Sequence, residues 1–303
     1  MMQRMSAPPL LLLIHIPKTA GTTLSRMIRL RLALWPPAHW MHHADVLGHY
    51  HVGYSRPNEV EHRCGIIRAL PLTDQHRVQF FAAHAGFGLH ELLPDPSRVQ
   101  YITMLRDPVS RVLSTYQFLC REGSLPGGMS LQRFVECGRH FRPFYADNAQ
   151  VRFLAGERGR VIDSPPGTCT GEMLDRALHR LEHDIVLAGL TERFDESLLL
   201  LGHLLRWHMP LYASARVKPN PGLDSRVPDS AIEAIRSANA LDLALYQRGA
   251  TLLEQKIAAA GAEFAGELAR FSRANRPYQA LFGPLMNGLP SARRVLRRMH
   301  VVR

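Results

Sequence analysis

The chain has 303 residues, 46% apolar and 21% charged, enough for one large domain or two small ones with a packed core. That composition excludes a wholly disordered chain. Its 37 Lys and Arg against 26 Asp and Glu leave a net charge of +11, which favours anionic partners: nucleotides, acidic or sulfated glycans, nucleic acid or anionic lipid.

The apolar run over residues 10–16 predicts a buried strand that stops at Pro17. A short loop through Gly21 then leads into Leu24, Met27, Ile28 and Leu32 at helical spacing, ended by Trp35-Pro36-Pro37. Further strands are expected over residues 78–83 and 99–105. The second of these runs into Arg106-Asp107-Pro108, where Asp107 suits the N-cap and Pro108 the first position of a helix reaching Cys120. A strand over residues 184–190 precedes a Leu-rich helix through Leu205, with Asp195 as its expected cap. Residues 230–270 read as helical, and the stretch after Pro277 is punctuated by Gly and Pro before a basic end containing Arg293, Arg294, Arg297, Arg298 and Arg303. Strands alternating with helices imply an α/β fold, a mainly parallel sheet with helices on both faces and a helical C-terminal extension. The expected organisation is a flexible N-terminus over residues 1–9, an α/β domain over 10–229, a helical extension packed on it over 230–276, and a basic tail over 277–303.

The four cysteines, Cys64, Cys120, Cys137 and Cys169, form no CxxC pair, so neither a zinc ribbon nor a disulfide scaffold is supported. Reduced, mostly buried thiols are expected. The longest apolar run is far too short for a membrane span, and residues 1–9 lack the features of a secretory signal. A soluble, cytoplasmic protein is the expectation, with peripheral contact between the basic tail and an anionic membrane as an option.

Two segments carry the chemistry. In Ile16-Pro17-Lys18-Thr19-Ala20-Gly21-Thr22-Thr23, small residues between strand and helix let main-chain N–H groups meet an anion. Lys18 adds a full charge, and Thr22 and Thr23 add hydroxyls. The spacing differs from the nucleoside triphosphatase loop G-x-x-x-x-G-K-[ST], because Lys18 precedes the glycine. A plain strand-to-helix turn with an exposed lysine is the alternative. In the second segment, Arg106 ends a strand and Ser114 lies about two turns into the next helix. Ligands of open parallel sheets bind beyond the carboxyl ends of the strands, so Lys18 and Arg106 should face one edge. The arginine fork with a serine hydroxyl suits a second phosphate, separate from the first. The alternative is Arg106 paired with Asp107 or another carboxylate. Two such sites suggest a nucleotide with phosphates at both ends.

His84 ends the strand that lies between these segments in sequence, and its imidazole titrates near neutral pH, which makes it the candidate base. A histidine satisfied by hydrogen bonds near the sheet is the competing reading. His15 falls within the first predicted strand and reads as structural. The cluster His39, His42, His43, His49 and His51 with Asp45 lacks a recognisable metal-ligand pattern and suits an acceptor loop or a solvated one. Lys218, in Arg216-Val217-Lys218-Pro219, could close over a nucleotide or lie in a surface turn.

These residues resemble a known family. His15-Ile16-Pro17-Lys18-Thr19-Ala20-Gly21-Thr22-Thr23-Leu24 is similar to the 5′-phosphosulfate loop of sulfotransferases, and Leu105-Arg106-Asp107-Pro108 through Ser114-Thr115-Tyr116 to their 3′-phosphate motif. Ala83-His84-Ala85-Gly86-Phe87-Gly88, Asp147-Asn148-Ala149-Gln150, Phe153-Leu154-Ala155-Gly156 and Gly189-Leu190-Thr191-Glu192 extend the likeness. It covers about residues 10–248 and is nearest to the branch containing heparan sulfate 2-O-sulfotransferase and bacterial relatives. The resemblance implies a P-loop-like fold, 3′-phosphoadenosine 5′-phosphosulfate (PAPS) as donor, and a hydroxyl acceptor, commonly on a sugar, with an anionic glycan among the options. It also implies that Lys18, Thr19, Ala20, Gly21, Thr22 and Thr23 hold the 5′-phosphosulfate, that Arg106 and Ser114 hold the 3′-phosphate, and that Lys18 supports the leaving phosphate. His84 matches the family's catalytic histidine, with Ala83 where the family has glycine. No metal and no nucleic acid partner are expected. A P-loop kinase-like phosphotransferase and a non-catalytic nucleotide- or polyanion-binding protein stay open as alternatives. The acceptor and the oligomeric state are not legible in the sequence.

Overall fold

The computed structural model of the chain describes residues 9–33, 57–76, 78–137, 145–208, 210–214 and 227–288. Four strands form one sheet: β1 (Leu10–Ile14), β2 (Phe80–Ala83), β3 (Val99–Leu105) and β4 (Ile185–Leu190). All neighbours are parallel, in the order β2-β1-β3-β4. Every residue of β1 is buried, because the strand is interior and covered on both faces; this is why it reads as an unbroken apolar run rather than an alternating one. Ile14 pairs with Ala83 on one side and Thr103 on the other, and Leu105 pairs with Leu190. The carboxyl ends of all four strands therefore share one edge.

The helices are α1 (Gly21–Ala33), α2 (Pro57–Ala69), α3 (Leu72–Gln75), α4 (Pro108–Arg121), α5 (Leu131–Glu136), α6 (Ala149–Leu154), α7 (Gly171–His183), α8 (Phe194–Leu205), α9 (Asp229–Ala238), α10 (Ala240–Ala259) and α11 (Phe264–Gly288). The start of α4 is as expected: Pro108 leads the helix and the Asp107 carboxylate accepts the Ser110 N–H at 2.8 Å. One expectation fails. Asp195 does not cap α8, which begins one residue before it; instead its carboxylate accepts the hydroxyls of Tyr212 at 2.6 Å and Ser272 at 3.3 Å. The stretch punctuated by Gly and Pro begins within α11, which continues through both Pro277 and Pro284. A proline inside a helix costs about 3 kcal/mol, but anchors flank Pro277 here: Asn275 accepts the Tyr212 N–H at 2.9 Å, and Gln279 accepts the Ser214 hydroxyl at 2.8 Å.

The C-terminal helices share the core of the sheet. Leu245 and Leu253 of α10 and Phe264 and Phe271 of α11 join the strand residues in one buried cluster. Gly249 makes the approach close: a Cβ there would stand 2.6 Å from Leu105 Cδ1, at the last residue of β3. Asp242, completely buried on α10, reaches the start of α6, where its two oxygens accept the N–H groups of Gln150 at 3.0 Å and Val151 at 2.8 Å. Arg111 Nε of α4 lies 4.0 Å from the same carboxylate. Burial pushes the Asp242 carboxyl above the usual carboxylate range, and Arg111 and the two N–H groups pull against it. Asp147, Asn148, Asn239 and Arg152 extend this network, with Arg152 Nη2 2.5 Å from the Asp147 carboxylate.

Among the described residues, Cys64, Cys120, Cys137 and Cys169 are all free thiols. Burial pushes Cys64 up to about 11 and Cys169 up to about 12, which keeps both in the unreactive form. No helix among the described residues is long and apolar enough to cross a membrane.

Replacing Asp242 with Asn would put an amide N–H against a main-chain N–H and leave Arg111 without its carboxylate. Asp242→Asn should cost about 2–4 kcal/mol of unfolding free energy in a urea titration, whereas the exposed Glu233→Gln should stay close to wild type; equal stabilities for the two variants would contradict this account of the network.

Candidate functional site

The loop after β1 is wound tightly. Lys18 and Ala20 both take positive φ, 69° and 61°, a backbone alternation of the kind that forms main-chain N–H concavities, here ahead of α1. The Thr19 side chain is buried and its hydroxyl donates to the Ile16 carbonyl at 2.8 Å, so Thr19 braces the loop and offers an anion only its main chain. The Ala20 carbonyl accepts from Thr23 at 3.0 Å and Leu24 at 3.2 Å, which starts the helix. Gly21 opens α1, with half-buried Thr22 and buried Thr23 following.

His84 stands one residue beyond β2, and its Nδ1 lies 2.6 Å from the His15 carbonyl oxygen. A carbonyl only accepts, so Nδ1 carries the proton and the neutral ring keeps its lone pair on Nε2. The two histidine rings stack with centroids 4.1 Å apart. His15 is thus not a strand interior residue: it follows β1, and its ring sits between His84 and the start of the anion loop. A Cβ on Gly21 would come within 2.2 Å of His15 Cδ2, which is why only glycine fits there.

Arg106 follows β3, and its Nη1 donates to the Lys18 carbonyl at 3.0 Å. The two segments read separately from the sequence are therefore in direct contact. Gln150 fixes the Arg106 main chain from both sides, its Oε1 accepting the Arg106 N–H and its Nε2 donating to the Arg106 carbonyl, each at 2.9 Å. Arg106 Nε is buried and makes no hydrogen bond; Glu192 Oε1, beyond β4, lies 3.9 Å away. Burial lowers the Arg106 pKa, opposed by Glu192 and Asp107. Half-buried Ser114 lies one turn before Phe118 on the same stripe of α4, and Lys18 Nζ sits 4.5 Å from the Phe118 ring centroid, so that stripe faces the loop.

In sheet order, then, the edge presents His84, the loop holding Lys18, Arg106 and Glu192, each touching or adjoining the next. Lys18, Thr19, Ala20, Gly21, Thr22, Thr23, His84, Arg106 and Ser114 lie along this edge or on the helices that start from it. Gln150, Glu192 and Phe118 received no role from sequence; the first two fall in segments that carried the family likeness, and Phe118 had no signal. The His39–His51 cluster, Lys218 and the closing arginines lie outside the described residues. Among the described residues no group of three or more His, Cys, Asp or Glu could hold a metal ion.

Residues 10–282 match the model of the galactose-3-O-sulfotransferase family. The chain belongs to that family. It is 31% identical over 194 residues to galactose-3-O-sulfotransferase 3 of Homo sapiens, a match covering 59% of this chain and 43% of that protein. It is 28% identical over 197 residues to heparan-sulfate 6-O-sulfotransferase 1 of Homo sapiens, covering 54% of this chain and 46% of that protein. The match thus spans less than half the length of these relatives. A solved sulfotransferase from Alicyclobacillus acidocaldarius aligns with 82% of this chain and 96% of its own, at 16% identity and a TM-score of 0.41. The place beside the heparan sulfate 2-O branch, expected from the motifs, is not supported by these matches.

Gly21→Ala should displace the His15 ring and with it the stack on His84, costing about 1–3 kcal/mol by overpacking in a denaturant titration. Gly266→Ala, on α11 with only the tip of Arg270 at 3.6 Å, is the contrasting change and should be neutral or slightly stabilising. The account of the His15 wedge fails if Gly21→Ala is as harmless.

Proposed function

We propose that the chain transfers the sulfuryl group of PAPS to a carbohydrate hydroxyl. The observation that carries this reading is the contact of Arg106 with the Lys18 carbonyl, which joins two cationic segments at one sheet edge while leaving the buried Arg106 Nε without a hydrogen bond. An anion with two separated charged ends suits that arrangement. The loop over Lys18 to Thr23, with its positive-φ residues and a helix start, would take the 5′-phosphosulfate. Arg106 Nε with the Ser114 hydroxyl would take the 3′-phosphate.

PAPS supplies the activated sulfuryl group; the remaining chemistry falls to the chain. His84 Nε2, left unprotonated by the bond from Nδ1 to His15, takes the proton of the acceptor hydroxyl as its oxygen bonds to sulfur. The bond between sulfur and the 5′-phosphate oxygen breaks, and Lys18 with the loop N–H groups stabilises the charge released on that oxygen. Adenosine 3′,5′-bisphosphate leaves. Lys18 rests over Phe118, a contact of about 0.5–1 kcal/mol at such sites. The names of the relatives make galactose 3-hydroxyls and the 6-hydroxyls of heparan sulfate the first acceptors to try.

The test is transfer of labelled sulfate from PAPS to galactosides and heparan-type oligosaccharides. Transfer is expected, with His84→Ala lowering kcat by about 10²–10⁴-fold while leaving the KM for PAPS within a few-fold. Lys18→Ala should lower kcat and weaken donor binding together. Undiminished turnover in His84→Ala would remove the base from this scheme, and transfer of the γ-phosphate of ATP with Mg²⁺ in place of sulfate would replace the donor.

A further inference from the structure

Glu192 and Arg106 make only a long ion pair, with no hydrogen bond between them. Its Oε1 accepts the Asp107 N–H at 3.1 Å, and its Oε2 accepts the Tyr246 hydroxyl at 3.0 Å. Held at both oxygens, the carboxylate stays 3.9 Å from Arg106 Nε, too far for a hydrogen bond. An unrestrained carboxylate at this range would close into a short two-bond pair with a guanidinium, the strongest pairing available to it. The neighbouring cation does not compete for Glu192, since Arg193 is committed to Glu196 at 2.5 Å and to Glu254. Tyr246 lies on α10, the helix that Gly249 brings against the end of β3 and that Asp242 ties to α6, so its hydroxyl is presented from a fixed frame.

We propose that Tyr246 is a positioning residue which, by holding Glu192 off Arg106, keeps the guanidinium available for the 3′-phosphate and so sets the preference for a 3′-phosphorylated donor. This rests on the reading of the donor given above. A short, hydrogen-bonded Arg106–Glu192 pair would have to be broken before a phosphate could bind; the tether keeps the long pair from closing and so weakens the competition. The tether acts only on ligands that carry a 3′-phosphate, because a nucleotide without one asks nothing of Arg106 Nε.

Calorimetric titration of the full chain with adenosine 3′,5′-bisphosphate and, separately, with adenosine 5′-monophosphate tests this. Wild type is expected to prefer the bisphosphate. Tyr246→Phe should weaken bisphosphate binding by about three- to tenfold, the scale of one partly exposed ion pair, with 5′-monophosphate binding unchanged. Glu192→Gln removes the competing charge while keeping an acceptor for the Asp107 N–H, so the Tyr246→Phe/Glu192→Gln double variant should regain wild-type bisphosphate affinity or exceed it. The proposal is overturned if Tyr246→Phe weakens both ligands equally or neither, or if the double variant binds the bisphosphate no better than Tyr246→Phe alone. A wild-type chain that binds the two nucleotides equally well would overturn the two-ended donor itself, and the role of Tyr246 with it.

Discussion

The arrangement at the sheet edge depends on one buried carboxylate. Asp242 accepts the first N–H groups of α6 and faces Arg111 of α4, so three helices that are far apart in sequence meet at a single fully buried carboxylate. Removing a partner from such a group leaves a buried polar atom unsatisfied, which is costly, and this makes the geometry discriminating rather than merely stable. The consequence reaches the site through one residue. Gln150, whose N–H is held by Asp242, grips the Arg106 main chain on both sides. The direction in which Arg106 leaves β3 is thus set by a network more than a hundred residues downstream.

Arg106 then orders the loop beside it. Its bond to the Lys18 carbonyl favours the strained, positive-φ turn ahead of α1. On the far side of the loop, the His15 ring fills the space that Gly21 leaves and presses on His84. The helical C-terminal region is therefore part of the machinery: it supplies Asp242, the close approach of Gly249 to Leu105, and the Tyr246 hydroxyl on Glu192. The net charge of +11 acquires a partial location, since Lys18 and Arg106 fall on this edge while Arg193 and Arg152 are consumed in internal pairs.

Much of this was legible in advance, for identifiable reasons. β1 and β3 were legible because interior parallel strands are continuous apolar runs, and the start of α4 because Asp-Pro is a local signal that acts within four residues. The edge on which Lys18, His84 and Arg106 meet followed from the parallel order of strands. What escaped was non-local. Gln150 and Asp242 are 92 residues apart, Glu192 and Tyr246 are 54 apart, and neither pair has a signature within its own segment. Asp195 looked like a cap because caps are local, but Tyr212 and Ser272 claim its carboxylate. The cost of Pro277 inside a helix is local, whereas the anchors at Asn275 and Gln279 that offset it are tertiary.

The central claim is that one nucleotide bridges the Lys18 loop and Arg106 with His84 Nε2 facing the reacting end. A crystal structure with adenosine 3′,5′-bisphosphate tests it most directly. The account predicts the 5′-phosphate within hydrogen-bond distance of the main chain of residues 18–23 and the 3′-phosphate on Arg106 and Ser114. A nucleotide lying away from this edge, or one bound here with its 3′-phosphate turned from Arg106 into solvent, would contradict it.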